Sequence, residues 1–220
     1  MNLIYIADPM CSWCYGFAKE LTSLTEATPQ LKLQIVVGGV RAGETATMSD
    51  EMKHFRLGHW ARVESLSGLT FNREAFVALE NFVYDTEPVC RAVVTARKLA
   101  PDMAILPLFR HLQETFYVHG RDTTSDEVLA EVGAQVMTSL GYPTHKDTFL
   151  MMGKDEATMA ETQQDFLKAR SWGISSFPAL LLEVNGQLHI VATGYMAASE
   201  LEKNLRLILE QVDYRPLKAV

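Results

Sequence analysis

A chain of 220 residues, 48% hydrophobic and 21% charged, has the make-up of a folded globular protein, and the low hydrophobicity with high charge that marks disorder is absent. At roughly 150 residues per domain, the length suggests about one and a half domains: one enlarged domain, or a small one carrying an insertion. The 20 Lys and Arg against 27 Asp and Glu, a formal net charge of −7, come without a basic run. This argues against nucleic-acid or anionic-membrane partners, and no apolar run reaches the ~18–20 residues of a membrane span.

Residues Leu3 to Ala7 form a short apolar run that reads as a buried strand, ended by Asp8-Pro9. From about Ser12 to Ala27 the pattern is helical, with Leu21 and Leu24 inward and Thr28-Pro29 as the stop. Leu31 to Val37 is a second strand, closed by Gly38-Gly39; the glycine-rich stretch that follows to Gly43 matches no phosphate-binding pattern and reads as a turn. The first basic residue is Lys19, so nothing here resembles the basic start of a secretory signal, and the expected location is cytoplasmic, where thiols stay reduced.

Helical periods then dominate from about Ser49 to Gly173. Glu87-Pro88 opens one helix, with Val89, Ala92, Val93, Ala96 and Leu99 inward. Thr124 and Glu127 suggest a capping box for another, and Ala157 to Ser171 is a third, with Gly173 just past its end. Strands return after Pro178. Ala179 to Val184 and Gln187 to Val191 flank Asn185-Gly186, the preferred two-residue loop of a hairpin with a type I′ turn. A last helix begins near Ser199, with Glu202 completing a second capping box and Leu201, Leu205, Ile208 and Val212 as its buried stripe. The order β-α-β, helical block, β-β-α reduces to a thioredoxin-like core. The expected fold is α/β, a thioredoxin-like fold with a large helical insertion: core residues 1–41, insertion 42–172, core residues 173–220.

Cys11-Ser12-Trp13-Cys14 sits at the junction of the first strand and first helix, where a redox C-x-x-C belongs in such a fold. Residues three apart at a helix start share a face, so the sulfurs can meet. The first sulfur then faces unpaired N–H groups at the positive end of the helix dipole, which favours thiolate. Cys11 is therefore the candidate nucleophile and Cys14 the resolving thiol. Two other readings stay open: half of a zinc site, with His54 and His59 as extra donors, and a pair of inert packing cysteines. Cys90, on the helix opened by Pro88, reads as a packing residue near the apolar stripe, with a third redox thiol as the alternative. The histidines His54, His59, His111 and His119 fall in predicted helices, and none stands out as a ligand. Pro178 opens a strand, and an X-Pro bond tolerates the cis form better than any other.

Asp8 through Gly16, followed far downstream by Gly173 to Pro178, resembles the DsbA-type thioredoxin-fold oxidoreductases, and within them the leaderless branch related to FrnE and described as protein-disulfide isomerases. The resemblance spans nearly the whole chain. It implies Cys11 and Cys14 as the redox pair and Pro178 as a cis proline opposite them; a cis bond at Phe177-Pro178 would leave the Phe177 backbone open to an incoming peptide, and Trp13 beside the site reads as an apolar contact for substrate or as a cover for the inserted helices. Where periplasmic DsbA proteins carry Pro-His between the cysteines, this chain has Ser12-Trp13, so reduction or isomerisation is expected ahead of strong oxidation. The acid that thioredoxin buries on the preceding strand is missing, and Asp8 either caps the turn, the preferred reading, or shuttles a proton for Cys14. The implied substrates are a disulfide-containing protein or a small thiol, with a separate reducing partner. No bound cofactor is expected, and glutathione is a candidate co-substrate. The alternatives are a glutathione-dependent isomerase or transferase acting on a small molecule, as in the similar hydroxychromene-carboxylate isomerases, and a non-enzymatic zinc-binding module.

Overall fold

The computed structural model describes residues 1–212; the end of the 173–220 segment, beyond 212, lies outside the described residues. The chain runs β1 (Asn2–Ala7), α1 (Ser12–Ala27), β2 (Lys32–Val37), α2 (Asp50–Ser67), α3 (Arg73–Ala78), α4 (Glu87–Leu99), α5 (Ile105–Tyr117), α6 (Asp126–Ser139), α7 (Lys146–Gly153), α8 (Glu156–Ser171), β3 (Ala179–Val184), β4 (Gln187–Thr193), α9 (Ala198–Gln211). The four strands make one sheet in the order β2-β1-β3-β4. β1 pairs parallel with β2, from Asn2 opposite Lys32 to Ala7 opposite Val37, and antiparallel with β3; β3 pairs antiparallel with β4. This is the thioredoxin-like α/β fold expected from the element order, with seven consecutive helices between β2 and β3.

The apolar run of β1 follows from its central place, because a strand covered on both faces has no polar side to show. Leu3, Tyr5 and Ala7 join the main core with α1, α4 and α5, while Ile4 and Ile6 join Val36, Ala169, Ile174, Ala179 and Leu181 under α8. α9 packs on β4 and α1. The hairpin turns at Asn185 and Gly186, both with positive φ (51° and 79°), the conformation a type I′ turn requires of its two central residues. Between α1 and the helical block lies an aromatic cluster. Trp60 of α2 stacks on Phe71, lies 4.5 Å from Phe76 between ring centroids, and meets Tyr117 edge-on; Tyr117 in turn stacks on Tyr15 of α1 at 4.7 Å.

Two helix starts differ from expectation. The cap of α6 is Ser125, whose hydroxyl accepts from Val128 N, and not Thr124, whose own hydroxyl donates to Asp122. The competing short-range bond takes Thr124 out of the capping position. The helix α9 begins one residue before Ser199, and no local side chain caps it. Glu20 of α1 accepts from Ala198 N at 2.9 Å instead, so a distant carboxylate takes the place of the expected Ser199–Glu202 box. His119 lies beyond the end of α5, not in a helix.

The strand β2 is an outer strand of the sheet, and unpaired backbone groups there invite association. Its outward side is partly occupied by an ion pair. Arg97 Nη1 donates to Ile35 O at 3.0 Å and to Asp165 Oδ2 at 3.0 Å, and the same carboxylate accepts from Val37 N at 3.1 Å. Arg97 also reaches Glu161 at 2.7 Å. Asp165→Ala leaves Val37 N–H without this partner and Arg97 with one carboxylate, and is expected to cost about 1–3 kcal/mol of stability in urea unfolding. Glu161→Ala, which touches no strand backbone, should cost less; equal losses would show that the strand edge draws nothing from the pair.

Candidate active site

The first turn of α1 carries no acidic residue and no side-chain cap: Cys11 itself is the N-cap, in extended conformation (φ −85°, ψ 116°). Its thiol thus occupies the place of a capping side chain, beside the orphan N–H groups and the positive end of the helix dipole. Cys11 is partly exposed and Cys14, one helical turn on, is fully buried; neither is in a disulfide. The Cys11 thiol is pulled below its ordinary pKa, chiefly by the hydrogen bond from Cys14 and also by the backbone N–H groups of Cys14 and Trp13; burial and the Asp8 charge oppose this. Burial pushes the Cys14 thiol well up. The pair is therefore asymmetric: an accessible sulfur disposed to be thiolate, over a buried sulfur that keeps its proton.

Three features hold this junction. Asp8 is fully buried; its carboxylate accepts from Met10 N at 2.8 Å and from Val40 N at 2.7 Å, so the capping reading of Asp8 is the observed one, and it also ties the motif to the turn after β2. Burial drives the Asp8 carboxyl up to about 6, against hydrogen bonds from Thr86, Val40, Met10 and Cys90. The Met10 carbonyl, next to Cys11, accepts from two tyrosine hydroxyls, Tyr117 at 2.6 Å and Tyr84. Tyr5, deep in β1, donates to Cys14 O at 3.2 Å.

Opposite the motif, the Phe177–Pro178 peptide bond is cis. The Cys11 thiol lies 3.7 Å from the Phe177 carbonyl oxygen. The Phe177 ring packs on Gly38 so closely that a Cβ there would come within 2.3 Å of it, which explains a glycine at the end of β2. Trp13 is half-buried, edge-on to His59 of α2 and near Tyr195, both at 6.5 Å between centroids. The structure therefore brings together Cys11, Cys14, Trp13, Phe177 and Pro178, all singled out in the sequence.

Other candidates lie elsewhere. Cys90 is fully buried, its thiol held up by burial and set against Asp8, a packing position. Among the described residues, no group of three or more His, Cys, Asp or Glu side chains is placed to hold a metal ion. A cavity of about 760 Å³ between the end of α1, the start of β2 and α5 is lined by residues such as Thr25, Lys32, Met103 and Arg110 and contains none of the cysteines. Though it lies between core and helical block, it is no pocket for chemistry at Cys11.

A solved structure from Nitrosomonas europaea, assigned as a protein disulfide isomerase, is 32% identical, with 96% of this chain and 98% of that one covered and a TM-score of 0.84. The chain belongs to the DsbA-type family of thioredoxin-fold oxidoreductases. The cytosolic disulfide reductase DsbM from Pseudomonas aeruginosa is 25% identical over 97% of this chain and all of that one, with a TM-score of 0.77. A Streptomyces coelicolor protein assigned as a DsbA oxidoreductase shares the fold at 16% identity, with 100% and 94% covered and a TM-score of 0.70. No family model matches the chain, and no curated protein does.

In this DsbA-type chain several residues of the site escape sequence reasoning. Tyr84 and Tyr117 lie 74 and 107 residues from Met10, and only folding brings their hydroxyls there. Tyr5 had a readable signal, since alternation in β1 puts it on the same face as Leu3 and Ala7; its bond to Cys14 did not. The charge on Asp8 raises the Cys11 pKa, and above about pH 6 that charge is present. Asp8→Asn removes it at every pH, so the Cys11 pKa should fall further and the pH profile of iodoacetamide alkylation should move to lower pH. An unmoved profile would show that Asp8 does not reach the thiolate.

Proposed function

We propose that this chain is a disulfide reductase or isomerase in which Cys11 and Cys14 form the redox pair. The observation that carries this is the asymmetry of the two sulfurs: Cys11 accessible at the helix N-cap with a lowered pKa, Cys14 buried beneath it and protonated. The Cys11 thiolate attacks one sulfur of a substrate disulfide. That S–S bond breaks, the other sulfur leaves as a thiolate, and a Cys11–substrate mixed disulfide forms. Cys14 then loses its proton and attacks the Cys11 sulfur. The substrate thiolate leaves, and the protein is left as a Cys11–Cys14 disulfide carrying the substrate's oxidising equivalents. Asp8, whose carboxyl burial drives up to about 6, sets a charge that both sulfurs feel. Phe177, whose carbonyl oxygen lies 3.7 Å from the Cys11 sulfur, and Pro178 line the approach of the substrate, with Trp13 in the first turn of α1 as a further contact.

The names of two relatives support the direction, a disulfide isomerase and a cytosolic disulfide reductase. Ser12 and Trp13 offer Cys11 no charged donor, in keeping with a dithiol that gives up electrons readily. A cytoplasmic setting suits a reductase, because surrounding thiols return the Cys11–Cys14 disulfide to dithiol. Glutathione is the reductant we favour; DsbM has also been solved with GSH.

Cys11→Ser should abolish insulin reduction driven by glutathione. Cys14→Ser should keep the first step and accumulate a mixed disulfide on Cys11, visible as a mass increase that a reductant reverses. Full activity of Cys11→Ser would overturn the proposal, and a glutathione adduct on Cys14→Ser with no reduction of any protein disulfide would favour a small-molecule transferase instead.

A further inference from the structure

The helix α2 is apolar on two sides. Its inner side places Trp60 and Val63 in the core. Its outer side carries Met52, Phe55, His59, Arg62 and Leu66, which recur every three or four residues and so fall on one narrow stripe. Phe55 is 71% exposed, Leu66 58% and Met52 38%. Such a row of large apolar side chains in solvent differs from the single exposed apolar residues that need no explanation.

The stripe runs past the redox motif. Trp13 packs edge-on against His59, Arg62 lies over the Trp13 ring at 5.9 Å, and Tyr195, beside Trp13, donates to Leu66 O at 3.3 Å. One turn away, Arg56 covers the face of Tyr84, the residue that grips Met10 O. Neither Arg56 nor Arg62 forms an ion pair with a carboxylate among the described residues, although the chain as a whole carries a net charge of −7. Arg62 thus leaves an unpaired positive charge beside Trp13 on the surface of an acidic protein.

We infer that the outer stripe of α2 is a docking surface for an extended polypeptide segment, apolar and acidic, that flanks the cysteine of a protein substrate. Length decides between this occupant and a small thiol. From Met52 to Leu66 the helix advances about 21 Å at 1.5 Å per residue, the span of about six extended residues at ~3.3 Å each. A tripeptide thiol covers about half of that. The apolar side chains of the segment cover Phe55 and Leu66, and its carboxylates meet Arg62, an arrangement that speeds encounter and fixes direction more than it adds affinity. The inference rests on the reading of Cys11 as the attacking thiolate, and it names what that thiolate attacks.

The test is single-turnover oxidation of the fully reduced protein by two disulfides. One is the small, uncharged hydroxyethyl disulfide. The other is a peptide of about ten residues, a little longer than the stripe, whose single cysteine is a mixed disulfide with mercaptoethanol and is flanked by Leu and Asp. A second peptide replaces Asp by Lys. Phe55→Ser combined with Leu66→Ser should lower the ratio of the Asp-peptide rate constant to the hydroxyethyl disulfide rate constant by about tenfold. Arg62→Glu should reverse the preference for the Asp peptide over the Lys peptide. A ratio unchanged within about twofold, a loss shared equally by both disulfides, or an unchanged preference overturns the inference. So does a dimer that sediments as such in the wild type and dissociates in Phe55→Ser, since the stripe then belongs to a second copy. Wild-type protein inert toward both disulfides removes the Cys11 reading itself, and this inference with it, a result none of the other outcomes resembles.

Discussion

The buried carboxylate of Asp8 is the point on which the site depends. It touches all three parts of the chain meeting there: the turn into α1 through Met10 N, the exit of β2 through Val40 N, and the helical block through Thr86 and Cys90. A carboxylate in this position must be satisfied by donors, because an unpaired buried charge is among the most costly features a fold can carry. Its four partners supply that, yet burial still lifts its pKa to about 6. The same group thus fixes the geometry of Cys11 and Cys14 and sets a titratable negative charge under them, opposing the thiolate that the helix N-terminus favours.

The helical block has a corresponding task. Trp60, Phe71, Phe76, Phe116 and Tyr117 form a contiguous aromatic layer, and Tyr117 with Tyr84 extends from it to the Met10 carbonyl. Aromatic packing of this kind is rigid as well as apolar, so Met10, the residue before Cys11, is held from the block while the cysteines belong to the core. On the other side of the sulfur, Phe177 is seated on Gly38. The Cys11 sulfur is therefore bounded by elements from the start, the middle and the end of the chain, and this is why a motif of four residues is insufficient to make the site.

The family places the chemistry in the thiol–disulfide class, and the departures of this chain within the family are physical ones. The position of thioredoxin's buried acid on the strand is apolar here except for Tyr5, a hydroxyl on the Cys14 carbonyl. The buried carboxylate here lies just past the strand's end, as Asp8, and caps the turn. Between the cysteines stand a serine and a tryptophan, and the tryptophan is turned toward α2, against His59 and beneath Arg62. The surface next to the sulfur is in this way made by α2, one of the inserted helices, and not by the thioredoxin-like core alone.

Local chemistry determined a good deal. Alternating or continuous apolar runs marked the four strands, Asn185-Gly186 marked the hairpin, Pro88 and Gly173 bracketed helices, and the C-x-x-C at a strand-to-helix junction marked two cysteines that lie together at the start of α1, because each of these depends on neighbours within a few residues. Helix caps were less secure for the same reason: Thr124 prefers Asp122, and Ala198 finds Glu20 from 178 residues away. What lay beyond the sequence was everything that arises when distant segments share one low-dielectric space: the lifted carboxyl of Asp8, the split between an acidic Cys11 and a reluctant Cys14, the tyrosines on Met10 and the plugging of the β2 edge by Arg97 and Asp165. Burial and long-range hydrogen bonds set those energies, and neither is a property of a residue until the chain has closed around it.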